Sequence, residues 1–182
     1  MSDTYYVKTL GGLEITNDNV TVNIVELFGK QLVNLLQVLL FHSEKQVQKD
    51  ELIDILWPES KNPSSALKFS IFRLRAELNE IEFFKDKEVI VTTRKGYILN
   101  PNLDWNIDFV ELEKAYNQIN DGSELLDEKE FKTARKIFRL YQGRFYASPS
   151  QLHWILQKQE IFRQMYVKTM MRISCYLYTR KR

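Results

Sequence analysis

The sequence predicts an α+β N-terminal half, a small antiparallel sheet with three helices and a β-hairpin, followed by an all-α half. Three observations predict it. Runs of strand formers open and close the first hundred residues, apolar residues three and four apart fill the middle, and only helical spacing remains after Asn100-Pro101-Asn102. The boundary is therefore placed between residues 1–103 and 104–182. A chain of 182 residues is long enough for two small domains with cores of their own.

Tyr5-Tyr6-Val7-Lys8-Thr9-Leu10 is rich in strand formers and is punctuated by Gly11-Gly12. Leu13-Glu14-Ile15 and Val20-Thr21-Val22-Asn23-Ile24 flank the polar turn Asn17-Asp18-Asn19, which suits a small antiparallel sheet. The glycine pair has no downstream Gly or Lys-Ser/Thr, so it is a turn and not a phosphate loop. Phe28, Leu32, Leu35, Leu36, Leu39 and Leu40 then form one face of a helix over about 29–42. Leu52, Ile53, Leu56 and Trp57 repeat the pattern in a short helix that Pro58 ends. Asn62-Pro63-Ser64-Ser65 starts a third helix over 63–79, with Asn as cap and Pro at the first helical position. Its core face is Leu67, Ile71, Leu74 and Leu78. Glu88–Thr93 and Tyr97–Leu99 flank Arg94-Lys95-Gly96 as a hairpin with a basic tip. Beyond the boundary, helices are expected over about 107–120, 127–141 and 149–178, with Gly122 and Gln142-Gly143 as stops and Ser148-Pro149 as the last start.

Composition excludes several classes. Hydrophobic residues are 44% and charged residues 27%, with only 6 Gly and 4 Pro, which is a globular profile. The single cysteine, Cys175, rules out a disulfide framework and a cysteine metal site, and its apolar helical setting predicts a buried thiol. Met1-Ser2-Asp3-Thr4 lacks the layout of a signal peptide, and no apolar run is long enough to span a bilayer. No membrane partner is expected, and the cytoplasm is the default location.

Catalysis is not expected either. His42 and His153 have no zinc-type spacing, and Ser148, Ser150 and His153 lack an elbow or an acidic orienter. Asp121, Glu124, Asp127, Glu128 and Glu130 lack the alternating ligands and central Gly of a calcium loop. No catalytic residue, metal site or cofactor is therefore predicted, and the chain reads as a non-enzyme.

The net charge of +2 hides an asymmetry. Residues 1–103 hold 12 basic and 14 acidic side chains, and 104–130 hold 2 and 9. Residues 131–182 hold 12 basic and only Glu160 acidic. Such a block suits nucleic acid, an acidic protein or a membrane surface, or it pairs with the acidic segment before it.

The outer side of the 63–79 helix carries the functional signal. Lys68, Phe72 and Arg75 lie along one line, with Ser65, Phe69 and Arg73 nearby. Such a face suits the DNA major groove, where Arg pairs bidentately with guanine and an aromatic meets a thymine methyl. The hairpin tip Arg94-Lys95 would reach phosphates or the neighbouring minor groove. A helix-turn-helix followed by a wing is a recurring docking geometry. The same residues also fit an ordinary solvated face, or a protein-interaction module without sequence readout.

Leu10-Gly11-Gly12-Leu13, Lys49–Pro58, Ile71–Leu78 and Gly96–Leu99 together resemble the winged helix-turn-helix of OmpR-type regulators. More specifically, they resemble the antibiotic regulatory protein (SARP) branch of bacterial transcriptional activators. Asp104, Asp108-Phe109, Ala134, Leu140–Phe145, Trp154 and Arg163 are similar to the opening of that branch's tetratricopeptide-like bacterial transcriptional activation domain.

The resemblance implies a transcription regulator with a DNA-binding domain at 1–103 and a partial helical activation domain at 104–182. It places DNA contacts at Ser65, Ser70, Phe72, Arg73 and Arg75, and more loosely at wing residues Thr93, Arg94 and Lys95. The helical wheel adds Lys68. Trp57 is a core and turn residue on either reading. Implied partners are double-stranded DNA, commonly as direct repeats, and RNA polymerase. Two departures stand out. Fewer helices follow the boundary than the branch usually has, so Leu152, Leu156, Phe162, Tyr166, Met170, Ile173 and Leu177 are expected as an uncovered face. A longer regulator or a homodimer would cover it. Phe72 stands where related proteins often carry polar or basic residues, and it suits a methyl group or a neighbouring subunit.

Overall fold

A computed structural model of the chain describes residues 4–119, 125–147 and 152–180. The order is β1 Thr4–Lys8, β2 Glu14–Asn17, β3 Val20–Asn23, α1 Ile24–Leu27, α2 Lys30–Phe41, β4 Val47–Gln48, α3 Lys49–Leu56, α4 Pro63–Asn79, a 3-10 turn Glu82–Phe84, β5 Ile90–Thr92, β6 Gly96–Leu99, β7 Asp104–Ile107, α5 Asp108–Ile119, α6 Glu128–Leu140 and α7 His153–Thr179. One sheet has the order β3-β2-β1-β7 and a second the order β4-β6-β5. This is the expected small antiparallel sheet, helix-turn-helix and wing, followed by helices, except that Asp104–Ile107, where only helical spacing was expected, is a strand held in the sheet beside β1.

The chain packs as two compact units. One comprises Met1–Tyr5 with Thr16–Trp105, and the other Tyr6–Ile15 with Asn106–Arg182.

The first unit is built on α2, whose residues Leu32 to Leu40 are all buried. Leu52 and Leu56 of α3, and Leu67, Ile71, Leu74 and Leu78 of α4, are buried with them. At about 1.5–3 kcal/mol for each large aliphatic side chain, this spacing alone fixes which side of α4 faces inward. Pro63 begins α4 as expected, although the Asn62 side chain makes no capping hydrogen bond. The α3–α4 turn follows Trp57, which is half-buried and donates its backbone N–H to the Ile53 carbonyl at 2.8 Å.

Local differences from the sequence reading have physical reasons. The strand expected through Ile24 ends at Asn23, because the Asn23 side chain accepts from Val25 N–H and opens a helical turn there. Val47–Gln48 forms a strand too short for period two to reveal, paired antiparallel with β6 at Val47↔Tyr97 and Gln48↔Gly96. A Cβ on Gly96 would sit 1.8 Å from the Val47 carbonyl oxygen, so this close pairing needs glycine.

In the second unit, the Asp108 carboxylate at the start of α5 accepts from the backbone N–H groups of Thr9 and Leu10, each at 2.8 Å, and from the Thr9 hydroxyl. Burial pushes its pKa up, against the opposing effect of these hydrogen bonds. Phe109, Phe145 and Phe162 form an aromatic core beside them. Asp127 and Glu130 form a reciprocal capping box at the start of α6, which gives those two acidic residues a structural role.

Helix α7 begins at His153, after the expected 149, and its buried positions are Ile155, Phe162, Thr169 and Tyr176. Cys175 is exposed, contrary to the expected buried thiol. The run around it is apolar on both sides of the helix, so hydropathy alone does not say which side faces inward. Of the residues expected as an uncovered face, Leu156 and Leu177 are exposed and Phe162 is buried; the others are intermediate. The Gly122 stop, the Ser148-Pro149 start, Ser150, Asp121 and Glu124 lie outside the described residues.

Candidate nucleic-acid interface

The site lies within the first unit and is built from α4 and the hairpin β5–β6. On α4, the side opposite Leu67, Ile71, Leu74 and Leu78 carries Ser65, Phe69, Phe72 and Ala76, all exposed. Phe69 is 62% exposed and Phe72 70%, which is uncommon for side chains of that size. Lys68 flanks this row on one side and Arg73 on the other, both exposed. Arg73 donates to Glu77 one turn further along, at 2.9 Å.

Two expected contacts on α4 sit differently from the rest. Ser70 is only 7% exposed. It lines a groove of about 460 Å³ with Gly29, Leu32, Trp57, Ala66, Phe69 and Arg73. Its position three after Leu67 and four before Leu74 turns it toward the core side. Arg75 is half-buried and extends toward the hairpin. Its Nε and Nη2 donate to the Ile90 carbonyl at 3.1 and 2.7 Å, and Nη2 also donates to the Thr92 hydroxyl at 2.8 Å. The guanidinium fork thus bridges the helix to the first wing strand.

The wing is defined by the register Ile90↔Leu99, Val91↔Ile98 and Thr92↔Tyr97. Its tip is closed by Thr93, whose N–H donates to the Gly96 carbonyl at 2.9 Å and whose hydroxyl accepts from Gly96 N–H at 3.0 Å. Arg94 and Lys95 are exposed at that tip. The Lys95 carbonyl accepts from the backbone N–H of Lys49 at 3.1 Å, which ties the tip to the start of α3. Ser65, Lys68, Phe72, Arg73, Arg94 and Lys95 therefore present side chains to solvent, while Thr93 and Arg75 hold the frame. Phe69 extends the outward row. Its position three residues before Phe72 was the signal available for it in the sequence.

The chemistry on this surface is cationic and apolar. Among the described residues, no group of three or more His, Cys, Asp or Glu side chains gathers as a metal site would require. No helix among them is long and apolar enough to cross a membrane.

Residues 25–99 match the family described as "Transcriptional regulatory protein, C terminal", and the match spans α4 and the whole wing. The fold over 95% of the chain is similar to EmbR of Mycobacterium tuberculosis, solved in complex with a low-affinity phosphopeptide, with a TM-score of 0.66 and 17% identity. The chain spans 46% of that protein's length. Two shorter chains also align. The C-terminal domain of the nisin resistance regulator NsrR has 26% identity and a TM-score of 0.38, covering 52% of this chain and 89% of its own. The DNA-binding domain of Escherichia coli CadC has 24% identity and a TM-score of 0.40, covering 54% and 94%. No curated protein matches in sequence.

Proposed function

We propose that the chain is a sequence-specific, DNA-binding transcription regulator of the SARP type that reads the major groove with α4 and braces on the backbone with its wing. The observation that carries this reading is the arrangement within the first unit. An outward helix face with Lys68, Phe72 and Arg73 is joined through Arg75 to a hairpin whose tip exposes Arg94 and Lys95. The family match over residues 25–99 supports it. Arg73 supplies bidentate readout after leaving Glu77, an exposed pair worth only about 0.2–1 kcal/mol. Lys68, Arg94 and Lys95 meet phosphates, and Ser65 offers a hydroxyl at the start of the helix.

On this reading, residues 1–103 bind DNA and residues 104–182 act in activation, by recruiting RNA polymerase or a second copy of the chain. Direct repeats are the natural site for such pairs, and the cytoplasm is the natural location for the DNA-bound protein. No catalytic step belongs to the function.

Salt and substitution test it. Affinity for duplex DNA is expected to fall linearly on a log–log plot as salt rises, because bound cations displace counterions from the phosphates. Arg73→Ala is expected to cost about 1–3 kcal/mol and to relax sequence preference. A protein-interaction module would show neither effect.

A further inference from the structure

We infer that Phe69 and Phe72 recognise thymine through its 5-methyl group, so that the preferred DNA carries thymines on neighbouring base steps under the middle of α4. This rests on the reading that α4 enters the major groove, and it names what that face selects. Both rings are mostly exposed, at 62% and 70%, and Ala76 continues their row. A phenyl ring has no hydrogen-bonding group, so it cannot satisfy the donors and acceptors that distinguish guanine, cytosine or adenine. The apolar feature that the major groove offers is the thymine methyl.

Spacing agrees with this. Residues 69 and 72 are about 4.5 Å apart along the helix axis, at 1.5 Å per residue. Successive bases of one strand are about 3.4 Å apart, so the two rings address adjacent or next-adjacent base pairs. Charge identifies the occupant of this apolar strip as a polyanion. Lys68 and Arg73 flank the rings on the helix itself, and Arg94 and Lys95 stand at the wing tip of the same unit. The expected site is thus mixed: thymines under the two rings, with guanine favoured where Arg73 reaches.

The experiment removes the methyl groups from the DNA and leaves the protein intact. Duplexes are selected from a random library with the full chain, and the preferred duplex is resynthesised with deoxyuridine in place of each thymidine in turn. Pairing is unchanged, and only the methyl is lost. At one or two positions binding is expected to weaken about fourfold, the effect of withdrawing one buried methyl-sized group. That penalty is expected to vanish in Phe69→Ala or Phe72→Ala, each variant abolishing it at its own position.

If a preferred duplex exists but no deoxyuridine weakens binding by even twofold, the inference is overturned while the DNA-binding reading stands. The same holds if the penalties persist unchanged in both alanine variants. Capture of a protein partner by the phenylalanines, with DNA selection unaffected by their loss, also overturns it. If no duplex is preferred at all, the major-groove reading fails and this inference with it.

Discussion

Arg73 and Arg75 are two residues apart on one helix, and their surroundings give them different work. Arg73 is exposed and, among the described residues, is held by Glu77, whereas Arg75 is committed to the Ile90 carbonyl and the Thr92 hydroxyl. Arg75→Ala is therefore expected to lower the melting temperature, since hydrogen bonds from a charged donor contribute about 1.5–3 kcal/mol. It should also weaken binding to all DNA sequences alike, because the wing loses its brace. Arg73→Ala should leave the melting temperature nearly unchanged and alter sequence preference. Thermal denaturation and binding to a panel of duplexes separate the two. A helical wheel drawn from sequence puts both arginines on the outer side, since it contains no information about a strand 15 residues ahead. Ser70 shows the opposite problem. The family resemblance put it at the groove, and its position between two core leucines decides its burial.

At the scale of elements, what repeats was legible and what depends on a neighbour was not. The bounds Pro63–Asn79 of α4 follow from an Asn-Pro start and four apolar residues at helical spacing. The wing follows from two strand-forming runs around a glycine. The two-residue strand β4 exists because β6 is beside it, and no local pattern announces it. Gly96 marks that dependence. Gly96→Ala forces Cβ onto the Val47 carbonyl and is expected to destabilise the first unit by at least about 1–3 kcal/mol, measured by denaturant unfolding.

In the helical unit, Lys136 lowers the pKa of Glu111 by hydrogen bonding and by charge. The folded value lies below the ordinary one, so the stabilisation is present above the unfolded pKa and is lost as pH falls through the folded value. Lys136→Ala should cost no more than about 1 kcal/mol near neutrality, and the difference from wild type should disappear on acidification below that value. Melting curves taken across that range test it.

For the whole molecule, the net charge of +2 is the sum of segments with different roles. Part of the basic C-terminal block is engaged within its own unit. Lys136 meets Glu111, Arg172 approaches Glu130 at 3.8 Å, and Arg163 pairs with Glu160. This is the solvated, paired arrangement that the acidic segment made plausible from the start. Residues 61–95, by contrast, hold 8 basic and 5 acidic side chains, and four of those cations, Lys68, Arg73, Arg94 and Lys95, lie on the outer face of α4 and at the wing tip. A modest salt dependence is expected from so few exposed cations, and Lys95→Ala should reduce its slope by about one. Family resemblance in the sequence pointed to a winged helix followed by helices, and the fold agrees. The packing of residues 6–15 with the second unit was not legible, because their partners Asp108, Arg144 and Phe145 lie about a hundred residues or more away.

Selection of random duplex DNA by the full chain is the sharpest test of sequence readout by α4. An enriched site is expected, with its preference relaxed by Arg73→Ala. Failure to enrich any site, or an enriched site bound equally well by the Arg73→Ala protein with the same preference, would contradict it.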